Sequence, residues 1–250
     1  MTDTIELTLD EDGLTAVLTI KRERRRNALD HHTVIAMHAA LEEIEASDIV
    51  ALVLAGEGIK AFCAGDDLKA YAERTEAESR VHFDRGLRLM DRIEALPCLT
   101  IAAVEGYCVG GGLELAITCD IRIAGHDALF ALPEVRHIKG LPSWGGLTRL
   151  PRLIGMAAAK RLVLWGEDWP AETARDMGLV FEVVETGRAV PSALDMARVF
   201  AADADRDVLA RAKQVMHLSL GGAHSDMFTL NQMAEANQPF TGIPKKDDQP

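Results

Sequence analysis

Short apolar runs of β character alternate with helical periods from the start of the chain to about residue 130. That alternation restricts the chain to an α/β architecture in which strands and helices share a core. Ile5–Leu9 and Leu14–Ile20 flank Asp12-Gly13, a pair that predicts a tight β-hairpin. Beyond Asp30, a suitable helix cap, Val34, Ile35, Met37, Leu41 and Ile44 recur at helical spacing between His31 and Ala46. Ile49–Leu54 predicts a buried strand ending at Ala55-Gly56. A second helix lies within Glu76–Ala95 and stops before Pro97, and Leu99–Val104 returns to strand. Gly112–Thr118 reads as helix and Ile121–Ala124 as strand. From Pro151 helices dominate, at Ala157–Leu164, Ala171–Met177, Ala189–Ala201, Val208–Leu218 and Asp226–Ala236, with one strand candidate at Leu179–Val184. Pro239–Pro250 reads as a polar tail.

The 250 residues suffice for one sizeable core, so the expectation is one main domain with a helical appendage. With 48% hydrophobic and 26% charged residues, the composition is that of a soluble globular protein. No basic segment followed by an apolar run opens the chain, and no apolar stretch approaches the roughly 18 residues of a membrane span. The expectation is a cytoplasmic protein with no membrane partner. A formal charge of −12 argues against nucleic-acid binding, which needs basic surface to neutralise phosphates, so an anionic ligand must meet a local basic patch. Cys63, Cys98, Cys108 and Cys119 form no C-x-x-C pair and read as buried free thiols in a reducing compartment.

Several chemistries are excluded by inspection. The glycines of Gly106–Gly112 match neither G-x-x-x-x-G-K-[ST] nor G-x-G-x-x-G, and neither H-E-x-x-H nor G-x-S-x-G occurs, which leaves Ser143 as a turn residue. What remains is two glycine-bearing turns and two carboxylates. The first turn is Phe62-Cys63-Ala64-Gly65-Asp66-Asp67-Leu68-Lys69. The second, Gly110-Gly111-Gly112, leads into a helix that carries Glu114. Glycine lets backbone approach a ligand closely, and a helix start offers unpaired N–H groups to a carbonyl oxygen that gains negative charge. Glu134 follows Pro133, a residue suited to a first helical position.

The segments Phe62–Lys69, Glu105–Asp120 and Pro133–Leu150, with Asn27-Ala28-Leu29, resemble the motifs of the enoyl-CoA hydratase/isomerase family, the crotonases, over roughly residues 5 to 190. The resemblance implies an α/β spiral of repeated β-β-α units over residues 1–190. It also implies a C-terminal helical trimerisation or lid region over residues 191–250, and assembly as a homotrimer or a dimer of trimers. It implies an acyl-CoA thioester substrate, with coenzyme A as part of the substrate and no separate cofactor or metal. Carried over by position, the backbone N–H groups of Asp66 and Gly111 form an oxyanion hole, and Glu114 and Glu134 are catalytic. Glu114 is assigned as base, because a helix N-terminus favours its ionised form, and Glu134 as acid. Asp66 departs from the small residue expected there, and its carboxylate is predicted to point away from the thioester oxygen.

The basic run Lys21–Arg26 reads as a solvated loop, a nuclear-localisation-like patch or a phosphate site. The resemblance implies that it lies near the nucleotide end of coenzyme A, which favours Arg24 as the phosphate contact, with Arg26 or Lys69 as helpers. Ala28, Ala64, Asp67, Leu68, Pro133 and Trp144 complete the expected substrate and coenzyme A contacts. Two readings of Trp144 stand side by side, restriction of the acyl pocket and plain packing. His137 reads as a surface or structural histidine. The acidic-then-basic helical segment that many relatives carry before a Pro-x-Phe ending is missing before Pro239, which puts the usual lid in doubt.

Hydration of a 2-enoyl-CoA to a 3-hydroxyacyl-CoA is the leading expectation. The alternatives are isomerisation, CoA-ester hydrolysis or a hydratase-lyase step, and a non-catalytic RNA-binding role is the least favoured because helix His31–Ser47 has no lysine or arginine.

Overall fold

Asp12 closes the first hairpin through its side chain, its Oδ1 accepting from the backbone N–H groups of Leu14 at 2.9 Å and Thr15 at 2.8 Å. A computed structural model describes residues 4–219; the helix expected at Asp226–Ala236 and the tail Pro239–Pro250 lie outside the described residues. In chain order the elements are β1 (Ile5–Leu9), β2 (Thr15–Ile20), α1 (His31–Glu45), β3 (Ala51–Gly56), β4 (Ala61–Cys63), α2 (Leu68–Glu73), α3 (Glu76–Glu94), β5 (Leu99–Val104) and β6 (Tyr107–Val109). There follow α4 (Gly111–Ala116), β7 (Ile121–Gly125), β8 (Leu129–Ala131), α5 (Gly146–Lys160), β9 (Trp169–Pro170), α6 (Ala171–Asp176), β10 (Glu182–Val184), α7 (Ala189–Asp203) and α8 (Arg206–Ser219).

Two sheets result, one of six strands ordered β1-β2-β3-β5-β7-β10 and one of four ordered β4-β6-β8-β9. Successive turns of chain each add one strand to each sheet and then a helix, giving the repeated β-β-α spiral. The larger sheet is parallel from β2 onward and covered on both faces, which is why β3 and, apart from Thr100, β5 read as apolar runs rather than alternating ones. One face, with Leu18, Leu52, Leu54 and Val104, packs on Met37 and Leu41 of α1 and Leu89 and Ile93 of α3. The other face, with Val53, Ile101 and Ala103, meets Ala189, Ala193, Ala197 and Ala201 of α7. These alanines repeat every four residues, so a side-chain-poor stripe lets the helix lie close on the sheet.

The smaller sheet was invisible to periodicity because β4, β6 and β8 hold only three residues each. Two other boundaries differ from expectation. The helix expected to start at Ala157 begins at Gly146 and breaks at Gly155, whose φ is +77°. The strand expected from Leu179 starts at Glu182, because the N–H groups of Leu179 and Val180 turn back to the Ala174 carbonyl at the end of α6. All four cysteines are buried free thiols, and burial pushes their pKa values up, to about 12 for Cys63.

Candidate active site

The strands β4, β6 and β8 run parallel and side by side, and each ends in one of the segments singled out in the sequence. Ala64-Gly65-Asp66 follows β4, Gly110-Gly111 follows β6, and Leu132-Pro133-Glu134 follows β8. The carboxyl ends of adjacent parallel strands are where open α/β sheets place ligands. Here they border a cavity of about 640 Å³ that Asp66, Gly111, Glu114 and Glu134 all line.

The backbone at this edge is preset. Leu29 N–H donates to the Gly65 carbonyl at 2.8 Å and Asp67 N–H to the Leu29 carbonyl at 3.1 Å, so residues 29 and 65–67 form one rung of parallel ladder. Successive N–H groups of extended chain point to opposite sides, which turns the Asp66 N–H away from Leu29. Asn27 secures this segment: fully buried, it donates to the Ala61 carbonyl at 2.7 Å and accepts from Arg22 N–H at 3.0 Å. On the other side, Gly110 adopts φ +58°, ψ −127°, a conformation closed to other residues, and delivers Gly111 as the first residue of α4. Neither the Asp66 nor the Gly111 N–H has an acceptor among the described residues.

The two carboxyl groups sit in different surroundings. Glu114 is 2% exposed, and its Oε1 accepts from the backbone N–H groups of Trp144 at 2.9 Å and Gly146 at 2.8 Å. Burial raises its pKa, while those two N–H groups and the charge of Arg149 work in the opposite direction. The donors that favour its anion therefore come from the start of α5, and not only from its own six-residue helix as the sequence reading supposed. Glu134 opens a single π-type turn, Glu134–Ile138, and its buried Oε2 has no partner among the described residues. Burial, with a contribution from the charge of Glu114, pushes its pKa up to about 7. The cavity thus holds one carboxyl supplied with backbone hydrogen-bond donors and one whose proton affinity burial raises into the neutral range.

Trp144 is packed and also borders the cavity: it is 1% exposed, with its indole wedged between Gly86 of α3 and Gly111. A Cβ at position 111 would lie 2.5 Å from the indole, so glycine there also makes room for this ring. Ala64, Leu68 and Pro133 line the same cavity. Ala28, Asp67, Lys69, Arg24 and Arg26 do not. Ala28 is buried and its carbonyl accepts from Arg22; Asp67 caps α2 and pairs with Arg22 at 2.9 Å; Lys69 is exposed. Arg24 is exposed on a one-turn helix, Glu23–Arg25, and the Arg26 guanidinium lies 5.2 Å from the centre of the Tyr107 ring. His137 is exposed.

Some contributors had no short-range signal. Tyr71, Phe83, Ile138 and Leu141 supply apolar wall, and Lys139 brings a cation to the rim. Arg149, only 7% exposed, donates to the Trp144 carbonyl at 3.2 Å and pairs with Asp91 and Glu94 at 2.7 Å, fixing the loop that holds Glu114. Among the described residues no group of three or more His, Cys, Asp or Glu is placed to hold a metal ion, and no helix is long and apolar enough to cross a membrane.

Two amides without acceptors among the described residues stand beside buried Glu114 and half-buried Glu134 at the carboxyl edge of a β-β-α spiral. That arrangement is chemically able to polarise a carbonyl and move protons next to it. Residues 11–241 match the family model described as enoyl-CoA hydratase/isomerase. The chain is 39% identical over 200 residues to a short-chain-enoyl-CoA hydratase of Clostridium acetobutylicum, covering 78% of this chain and 75% of the relative. It is 37% identical over 197 residues to an (E)-benzylidenesuccinyl-CoA hydratase of Thauera aromatica, covering 78% of this chain and 74% of that one. Among solved structures, an enoyl-CoA hydratase from Bacillus anthracis superposes with a TM-score of 0.88 at 30% identity, over 93% of this chain and 90% of the other. The chain belongs to the enoyl-CoA hydratase/isomerase family, the crotonases.

Proposed function

We propose that this protein hydrates a 2-enoyl-CoA to a 3-hydroxyacyl-CoA. The observation that carries this reading is the convergence of Glu114 and Glu134 on one cavity with the Asp66 and Gly111 amides. The two N–H groups receive the thioester oxygen and hold it as it takes on enolate charge. Glu114, held by the Trp144 and Gly146 N–H groups, accepts a proton from water as that water attacks the β-carbon. Glu134, with its pKa near 7, delivers a proton to the α-carbon. Coenzyme A is part of the substrate, and these groups supply the acid, base and electrostatic help that the addition of water requires.

Leu68, Tyr71, Phe83, Leu141 and Trp144 support an apolar acyl group. Relatives named for short-chain and for aryl-bearing substrates match this chain about equally well, so the acyl group is a matter for measurement. For the nucleotide end, exposed Arg24, with Arg26 and Lys69, remains the proposed phosphate contact, and assembly as a homotrimer or dimer of trimers is proposed with residues 191–250 as the trimerisation or lid region. Steady-state hydration across short, long and aryl enoyl-CoA substrates tests the function. Turnover that depends on both glutamates is expected, whereas double-bond isomerisation that survives loss of one glutamate replaces hydration with the isomerase reading.

A further inference from the structure

Asp66 presents a problem that the fold answers. A carboxylate on the residue whose N–H faces the substrate oxygen would oppose the negative charge that develops there. Its side chain is instead gripped from two elements. Arg74, immediately after α2, donates two parallel hydrogen bonds, Nη1 to Oδ2 and Nη2 to Oδ1, each 3.0 Å. His82 of α3, fully buried, donates from Nε2 to Oδ1, also at 3.0 Å. With a carboxylate as acceptor the hydrogen sits on Nε2, and His82 Nδ1 has no partner among the described residues. Neither Arg74 nor His82 lines the cavity. The Arg74 side chain is 8% exposed and the Asp66 side chain 17%, so the pair is weakly screened and geometrically fixed.

This clamp touches other parts of the site. The His82 ring meets the Trp144 indole edge-on with centroids 5.6 Å apart, and that indole abuts Gly111. One continuous packing path therefore runs from the side chain of Asp66 through His82 and Trp144 to Gly111, joining the residues that bear the two amides. Arg74 and Asp67 also stand at opposite ends of α2, whose Leu68 and Tyr71 form cavity wall.

We propose that Arg74 and His82 are positioning residues for the Asp66 amide. They draw the carboxylate out of the cavity, Arg74 cancels its charge, and the bidentate grip fixes the plane of the peptide that carries the N–H. The inference rests on the carbonyl-polarising role proposed above for Asp66 and Gly111.

The test pairs kinetics with the infrared carbonyl stretch of bound butanoyl-CoA, 13C-labelled at the thioester carbon and unable to be hydrated. In the unaltered protein the stretch moves to lower frequency on binding. Arg74→Met is expected to shrink that displacement and lower kcat about 10-fold or more with KM little changed, the loss of one full amide donor being worth about 100- to 1,000-fold. Arg74→Lys, which keeps the charge but not the fork, falls between. Adding Arg74→Met to Asp66→Ala is expected to cost less than about 2-fold beyond Asp66→Ala alone, because no carboxylate is left to restrain. This pair also keeps the test decisive if Arg74→Met alone folds poorly. A normal stretch and kcat in Arg74→Met, or a full 10-fold loss on adding it to Asp66→Ala, overturns the positioning role and leaves the proposed function standing. No displacement in the unaltered protein overturns the carbonyl-polarising role itself, and the inference with it.

Discussion

Residues 110–116 and residues 133–144 each bring one glutamate to the cavity, and they do so in opposite ways. The first segment is buried from end to end and locked into the strand behind it, with Gly110 N–H donating to the Ala131 carbonyl at 2.9 Å. The second is a π-type turn followed by a loop in which residues 136–141 are all exposed. Glu114 is given two backbone donors, whereas one buried oxygen of Glu134 has no partner among the described residues. Identical side chains thus acquire different proton affinities from where their hydrogen-bond partners lie, a division by environment that suits one to accept and the other to donate.

The largest effect expected from breaking this comparison is on turnover. Glu114→Gln and Glu134→Gln should each lower kcat for hydration about 10²- to 10⁴-fold, measured with saturating enoyl-CoA. Similar activity in either variant would show that the two environments do not define an acid and a base. The pH profile of kcat/KM sharpens the same point. The acid must be protonated, so activity should fall as pH rises through about 7, the Glu134 value, and fall again on the acid side as Glu114 takes up a proton.

Next in size is Gly111→Ala. Its new Cβ would meet the Trp144 indole at 2.5 Å, and both the amide and the loop that holds Glu114 would have to shift. Overpacking of about 1–3 kcal/mol should appear in thermal unfolding, with roughly 10- to 100-fold lost in kcat. Arg149→Met should cost less, about 1–2 kcal/mol of stability, because its partners Asp91 and Glu94 still reach water, with a several-fold drop in kcat as the Trp144 loop loosens.

The smallest effect runs the other way. Glu134 keeps its proton in the folded protein to about pH 7 but loses it near the ordinary carboxylate value when unfolded, so its burden on stability grows between those two pH values. Glu134→Gln should therefore stabilise the protein by about 1–3 kcal/mol at pH 8 and by much less at pH 4, read from denaturant unfolding at each pH. Equal stabilisation at both would contradict the raised pKa.

The larger sheet and its helices were legible because hydrophobic periodicity extends over enough residues to be read. Asp30 caps α1 through Thr33 N–H at 2.8 Å, and Thr75 and Glu78 form a capping box at the start of α3. The smaller sheet was not, since three-residue strands carry no period. The turns that follow those strands were legible all the same, through glycines and through motifs whose order matched a known family. In the basic run, charge alone did not reveal that Arg22 is spent between Asp30 at 2.7 Å and Asp67 at 2.9 Å while Arg24 stays exposed.

By itself, the sequence determined which residue types stand at the strand ends: glycines whose backbone can approach a substrate, and two carboxyl groups close behind them. Those are local properties, written into side-chain size and chain order. Only the tertiary structure decided how each group is tuned, because the tuning partners are remote. Glu114 is held by amides 30 and 32 residues away, and the Asp66 carboxylate is gripped by groups 8 and 16 residues away. Proton affinity and amide direction depend on burial and on the hydrogen-bond donors that packing brings near, and neither exists until the chain has folded.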